Sequence, residues 1–158
     1  MRVAILTISD SVSRGTHKDA SGPGLRERCA QLGWEVVSES VLADEPALIR
    51  NSLISLADRG AAELILTTGG TGIGPRDSTP EATAEVCQRL LPGFSELMRA
   101  EGRKKNPRAV LSRAVAGVRG STLIINLPGS PRGAIESLDA VSDLVPHALQ
   151  VLGGARHD

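Results

Sequence analysis

Short continuous apolar runs alternate along the chain with stripes of helical period, and glycine, proline and small polar residues punctuate the joins. The run from Val3 to Ile8, with Thr7 inside it, predicts a first buried strand. It empties into a long polar loop from Ser9 to Pro23. Leu25, Cys29 and Leu32 recur at helical spacing and predict a helix over 24–32, which Gly33 ends. A second strand is expected over 34–42; the imperfect alternation of Val36, Val37 and Val41 places it near a sheet edge. Asp44-Glu45-Pro46 opens a helix to 59, with the stripe Leu48, Ile49, Leu53 and Leu56 and a stop at Gly60. Leu64 to Leu66 form a third buried strand. After a glycine loop, a helix is predicted over 79–90, a break at Leu91-Pro92-Gly93, and a further helix over 94–104 with Phe94, Leu97 and Met98 on one side. A helical turn runs from Asn106-Pro107 to Leu111-Ser112. Segments 113–119 and 122–126 read as strands joined by Gly120-Ser121, a connection that fits a II′ hairpin. Ser130 caps and Pro131 starts the last helical region, whose stripe runs through Ala134, Ile135, Leu138, Val141, Leu144, Val145, Leu149 and Leu152. Pro146 kinks or splits it, and 153–158 form a frayed tail.

Strands alternating with helices predict an α/β fold: a three-layer sandwich with a mostly parallel sheet, one antiparallel strand (113–119), and helices on both faces. The 158 residues are expected to form one domain, 1–158. Right-handed crossovers put the strand-to-helix loops at one edge of the sheet. That gathers Asp10, Asp44, the 69–77 loop and the 126–130 loop where ligands of open α/β sheets bind.

Composition narrows the ligand. Lys and Arg number 18 and Asp and Glu number 18, so no global field recruits nucleic acid or an acidic membrane. Trp34 and Phe94 are the only aromatics, which excludes a base-stacking platform for single-stranded nucleic acid. Cys29 and Cys87, each in an expected helix, read as buried free thiols ahead of a redox pair. His17, His147 and His157 show no metal-ligand spacing. The absence of a leader pattern or a membrane-length apolar run leads us to expect a cytoplasmic protein.

The segment Leu64 to Glu81 carries the chemistry. Gly69, Gly70, Gly72 and Gly74 leave a strand, and Ser78-Thr79-Pro80-Glu81 bears helix-start residues. Free N–H groups in such a loop, with the positive end of the next helix, make a phosphate site. Arg76 is suited to clamping an anion and Asp77 to holding a cation. A Walker A loop is excluded because no lysine lies between Lys18 and Lys104, and Gly70-Thr71-Gly72-Ile73-Gly74 lacks the final spacing of the dinucleotide fingerprint. A plain glycine turn is the alternative, which the charged pair Arg76-Asp77 disfavours. Taken singly, Asp10 reads as an Asx-turn closing its strand and Asp44 as a helix N-cap. The run Glu101, Arg103, Lys104 and Lys105 reads as a solvated helix end.

These motifs together carry a family resemblance. Thr7-Ile8-Ser9-Asp10-Ser11, Ser21-Gly22-Pro23, Asp44-Glu45, Thr68-Gly69-Gly70-Thr71-Gly72, Arg76-Asp77-Ser78-Thr79-Pro80-Glu81-Ala82, Pro92-Gly93, Leu111-Ser112-Arg113 and Asn126-Leu127-Pro128-Gly129-Ser130-Pro131 resemble the MogA/MoaB family of molybdenum-cofactor biosynthesis, whose domain also occurs in gephyrin and the plant Cnx proteins. The resemblance implies a Mg²⁺-dependent molybdopterin adenylyltransferase that moves AMP from ATP to the terminal phosphate of molybdopterin. The alternative is a molybdopterin-binding scaffold without turnover. It implies Asp44 and Asp77 as the acids that handle nucleotide and Mg²⁺, Ser112 as part of the molybdopterin region, and a nucleotide and pterin cradle from Ser9, Asp10, Gly69, Gly70, Thr71, Gly72, Arg76, Asn126, Pro128, Gly129 and Ser130. It further implies a homotrimer, in some members a hexamer, and a hand-over to a molybdate-inserting protein. No catalytic His or Cys is needed, because a phosphate nucleophile is already ionised at neutral pH.

Overall fold

The computed structural model describes residues 1–156, so His157 and Asp158 of the expected tail lie outside the described residues. One six-stranded sheet runs through the chain in the order β2-β1-β3-β6-β5-β4. Its strands are β1 (Arg2–Ile8), β2 (Glu35–Leu42), β3 (Leu64–Thr68), β4 (Arg89–Leu90), β5 (Ala116–Arg119) and β6 (Thr122–Leu127). β2, β1, β3 and β6 are parallel neighbours, and β5 runs antiparallel to both β6 and β4. The expected mostly parallel sheet with one antiparallel strand is therefore present.

Period-two side-chain alternation divides the core into two layers. Val3, Ile5, Leu64, Leu66, Leu123, Ile125 and Leu127 point to one face. There they meet α2 (Ser21–Gln31), α5 (Pro92–Lys105), α6 (Pro131–Val141) and α7 (Val145–Leu152). Ala4, Leu6, Ile8, Ile65 and Ile124 point to the other face, against α3 (Pro46–Asp58) and α4 (Thr79–Val86). Strands covered on both sides must be apolar at every position, which is why β1, β3 and β6 appear in the sequence as unbroken runs. β2 is paired on one side only and is largely exposed, as its broken alternation implies.

Several boundaries differ from the expectation. The polar loop after β1 contains a helical turn, α1 (Asp10–Ser13), capped by Ser9 Oγ, which accepts from Val12 N at 3.3 Å. It buries nothing, so no apolar stripe marks it. α2 starts at Ser21 rather than 24: Asp19 accepts from Gly22 N at 3.0 Å and from Thr7 Oγ1 at 2.9 Å, which anchors the helix start on β1. α4 stops at Val86, and residues 88–91 leave the helical path for the edge of β5, where Gln88 N and Leu91 N donate to Val118 O and Ala116 O, each at 2.8 Å. Cys87 is consequently not helical. Both cysteines are free thiols, and burial pushes each to a pKa of about 11. The last helical region is split, with Pro146 in the first turn of α7. Met98 is buried in the chain's own core, and the partly buried Phe94 and Leu97 pack against it. Among the described residues, no helix is long and apolar enough to cross a membrane.

Candidate active site

Three strand exits interlock at Gly69. Its N–H donates to Leu127 O at 3.1 Å, Thr68 Oγ1 donates to Pro128 O at 2.7 Å, and Gly129 packs against the Gly69 main chain. Gly69 has φ +107°, and a Cβ there would collide with the Ile8 carbonyl oxygen. Only glycine admits both the conformation and the contact. The exits of β1, β3 and β6 thus meet main chain to main chain, and the β1/β3 crevice, where the connections leave in opposite directions, opens beside them.

Asp10 and Asp44 clasp each other. Asp10 N donates to Asp44 Oδ2 at 2.9 Å, and Asp44 N donates to Asp10 Oδ1 at 3.0 Å. This corrects two bland readings. Asp44 is not the N-cap of α3, a position held by Glu45 without a side-chain bond. Asp10 closes no turn of its own; its carboxylate bridges to the β2 exit and to Arg76. Arg76 donates through Nε and Nη2 to both Asp10 oxygens, at 3.0 and 3.1 Å, and through Nη2 to Glu45 at 2.8 Å. The guanidinium, expected as an anion clamp, is held by acids and remains half exposed. Asp77 curls back on its loop, Oδ2 accepting from Gly74 N at 2.8 Å with Gly72 directly beneath it.

The acids differ electrostatically. The Arg76 hydrogen bond holds Asp10 below the ordinary carboxylate range. Burial, with the neighbouring charges of Asp10 and Asp77, raises Asp44 above it, against the lowering effect of the Asp10 N–H and Arg76. Asp44 Oδ1 is buried without a hydrogen-bond donor, and so is Thr79 Oγ1; a Cβ on Gly70, at φ +67°, would meet both. A buried carboxylate oxygen with no donor calls for a positive charge. The donor chemistry fits Mg²⁺, which takes one or two carboxylates and completes its shell with water and ligand phosphate. No cluster of three His, Cys, Asp or Glu surrounds one point among the described residues.

Two cavities meet here. The larger, about 600 Å³, lies between Gly70, Thr71 and Gly72 and a wall of Ser112, Asn126, Pro128, Gly129 and Ser130. The smaller, about 330 Å³, is lined by Ser9, Lys18, Asp19, Asp44 and Gly69. Gly70, Asp77 and Gly129 line both. Asn126 contributes wall rather than free polar groups: its Nδ2 donates to Thr67 Oγ1 and Thr83 Oγ1, and its Oδ1 accepts from Val115 N. Ser130 Oγ caps α6 by accepting from Gly133 N.

Three residues escaped the sequence reading. Lys105 and Arg108 line the larger cavity, and their side-chain charges have no ion-pair partner among the described residues. Lys105 is an exposed helix end, as the charge run implies, and it also borders the larger cavity, which a charge run does not encode. Arg113 donates to Gly72 O, Asp77 O and Glu81, binding the glycine loop from behind. Its place beside Ser112 in a motif was the available signal.

A mostly parallel α/β sheet whose strand-exit cleft carries glycine loops and clasped acids is an architecture suited to phosphate-bearing ligands. A family model described as "Probable molybdopterin binding domain" matches residues 4–147, and the chain belongs to that family. It is 43% identical over 156 residues to the molybdopterin adenylyltransferase of Helicobacter pylori J99, covering 98% of this chain and 89% of the relative. It is 37% identical over 169 residues to the molybdopterin adenylyltransferase of Escherichia coli K12, covering 98% and 86%. The crystal structure of the molybdopterin biosynthesis enzyme MoaB from Thermus thermophilus superposes with a TM-score of 0.92 at 52% identity, covering 99% of each chain.

Proposed function

We infer that the chain is a molybdopterin adenylyltransferase, transferring AMP from ATP to the terminal phosphate of molybdopterin and releasing pyrophosphate. The observation that carries the reading is the junction of two cavities at Gly70, Asp77 and Gly129, with Asp44 beside it. A two-substrate phosphoryl reaction needs two ligand sites that share one reacting point. Relatives named for this activity across nearly the whole chain support the transferase over the binding scaffold.

In this reading molybdopterin occupies the larger cavity, its phosphate drawn by Lys105 and Arg108, and ATP the smaller. An oxygen of the molybdopterin phosphate forms a bond to the α-phosphorus of ATP. The bond from that phosphorus to the bridging oxygen of pyrophosphate breaks, and the electron pair leaves on pyrophosphate. The nucleophile is anionic at neutral pH, so no side chain need take a proton. The protein's work is alignment and charge compensation. Main-chain N–H groups of the glycine loop face the phosphates, Arg76 lines neither cavity and holds Asp10 and Glu45 in front of the loop, and Asp44 and Asp77 would hold Mg²⁺. When bound, the ion offsets charge on the departing pyrophosphate. The same reading includes one domain over 1–158 and a cytoplasmic location, expected from length and composition, and a homotrimer and a hand-over of product to a molybdate-inserting protein, which the family resemblance supports.

The test is incubation with ATP, Mg²⁺ and molybdopterin. Adenylated molybdopterin and pyrophosphate are expected in equal amounts. Tight molybdopterin binding with no product would make the protein a scaffold.

A further inference from the structure

We propose that Arg113 is a positioning residue that sets the distance between the two bound reactants without touching either; this rests on the transferase reading above. Arg113 lines neither cavity. Its Nε donates to Gly72 O at 2.7 Å, its Nη2 to Asp77 O at 2.9 Å, and its Nη1 to the Glu81 carboxylate. Its own N–H donates to Thr71 O at 2.8 Å. One side chain therefore grips both ends of the loop that carries Asp77, together with the first turn of the helix that follows.

The other end of the bracket is equally defined. Ser112, the preceding residue, stands in the wall of the larger cavity, and its carbonyl accepts from Arg99 Nη1 at 3.3 Å. Arg99 also takes the Ala114 carbonyl at 3.1 Å, so the carbonyls of the residues before and after Arg113 are both held by α5. Arg113 thus couples the Ser112 wall of the larger cavity to the loop that faces it and that carries Asp77 to the junction of the two cavities. The loop's own ties are Gly74 N to Asp77 Oδ2, Asp77 N to Gly74 O and, closing its base, Thr79 N to Gly70 O at 3.2 Å; none of them reaches the Ser112 wall. A planar guanidinium can serve three acceptors in fixed directions, whereas an ammonium on a flexible stem cannot. Charge alone would not replace it.

The experiment compares the wild type with Arg113→Lys and Glu81→Gln. Backbone amide hydrogen exchange is read first, on the proteins without substrate. In Arg113→Lys, exchange at Gly74, Asp77 and Thr79 is expected to accelerate about tenfold or more, with distant β1 amides unchanged. In transfer assays kcat should fall about 100-fold, while the separately measured Kd values for ATP and for molybdopterin stay within about threefold. Glu81→Gln, which leaves the two carbonyl bonds, should show the same pattern more weakly, and it carries the test if Arg113→Lys does not fold. Unchanged loop exchange would overturn the proposal, and so would a kcat loss matched by weaker ATP binding. A wild type that transfers no AMP would overturn the proposed function instead, and the exchange result would still decide the bracket.

Discussion

At Asp44, one carboxylate oxygen has a main-chain donor and the other has none. Such a group works against stability, since an unsatisfied buried acceptor costs about 1–3 kcal/mol. Asp44→Asn should relieve it: the amide oxygen can keep the Asp10 N–H, and the buried position loses its unsatisfied charge. The expected outcome is a melting temperature equal to or above the parent's, with AMP transfer reduced by orders of magnitude. A drop in melting temperature with transfer intact would leave Asp44 a purely structural clasp. The pH dependence has a definite sign. Burial raises the folded pKa of Asp44 above its unfolded value. This group's contribution to stability is therefore fully present below the unfolded pKa and is lost as pH rises through the folded one. Mg²⁺ binding should run the opposite way, strengthening as the carboxylate ionises, and a Mg²⁺ titration at several pH values checks it.

The glycine loop is an element held at three points: Gly69 on the strand exits, Arg113 behind, and Arg76 in front. The front tie is exposed. Ion pairs of that kind contribute about 0.2–1 kcal/mol and are screened by salt. Arg76→Ala should lower the melting temperature by less than about 4 °C. If the guanidinium exchanges its carboxylates for phosphate, the same variant should raise the KM for ATP at least about tenfold, by the loss of a charge-assisted contact. An unchanged KM would make Arg76 a loop tie only. At this scale the sequence was partly legible. β1, β3 and α6 were readable because a buried strand or an amphipathic stripe writes its environment into its own residues. α1 and β4 were not, because a capped polar turn buries nothing and a two-residue strand exists only through its partner, β5.

For the whole molecule, the cleft should behave as one linked binding unit. ATP with Mg²⁺ at about 100 times the dissociation constant adds about 2.7 kcal/mol to the folded state. Thermal unfolding should shift upward by several degrees, and a chelator should abolish most of the shift. A shift that survives chelation would remove Mg²⁺ from the binding step. Light scattering at micromolar concentration is expected to give three times the chain mass, and a monomer would refute the trimer. By itself the sequence determined the layered α/β order, the parallel core strands and the two glycine loops with their neighbouring acids. Periodicity, caps and glycine positions are local consequences of burial and backbone geometry. Tertiary structure decided which groups are spent on the protein and which face a ligand. Asn126 turned inward to three partners, Asp10 and Asp44 found each other across 34 residues, and Lys105 and Arg108 border a cavity with no ion-pair partner among the described residues. A side chain's partner is set by the distance between elements remote in the chain, and that distance exists only once the sheet has closed.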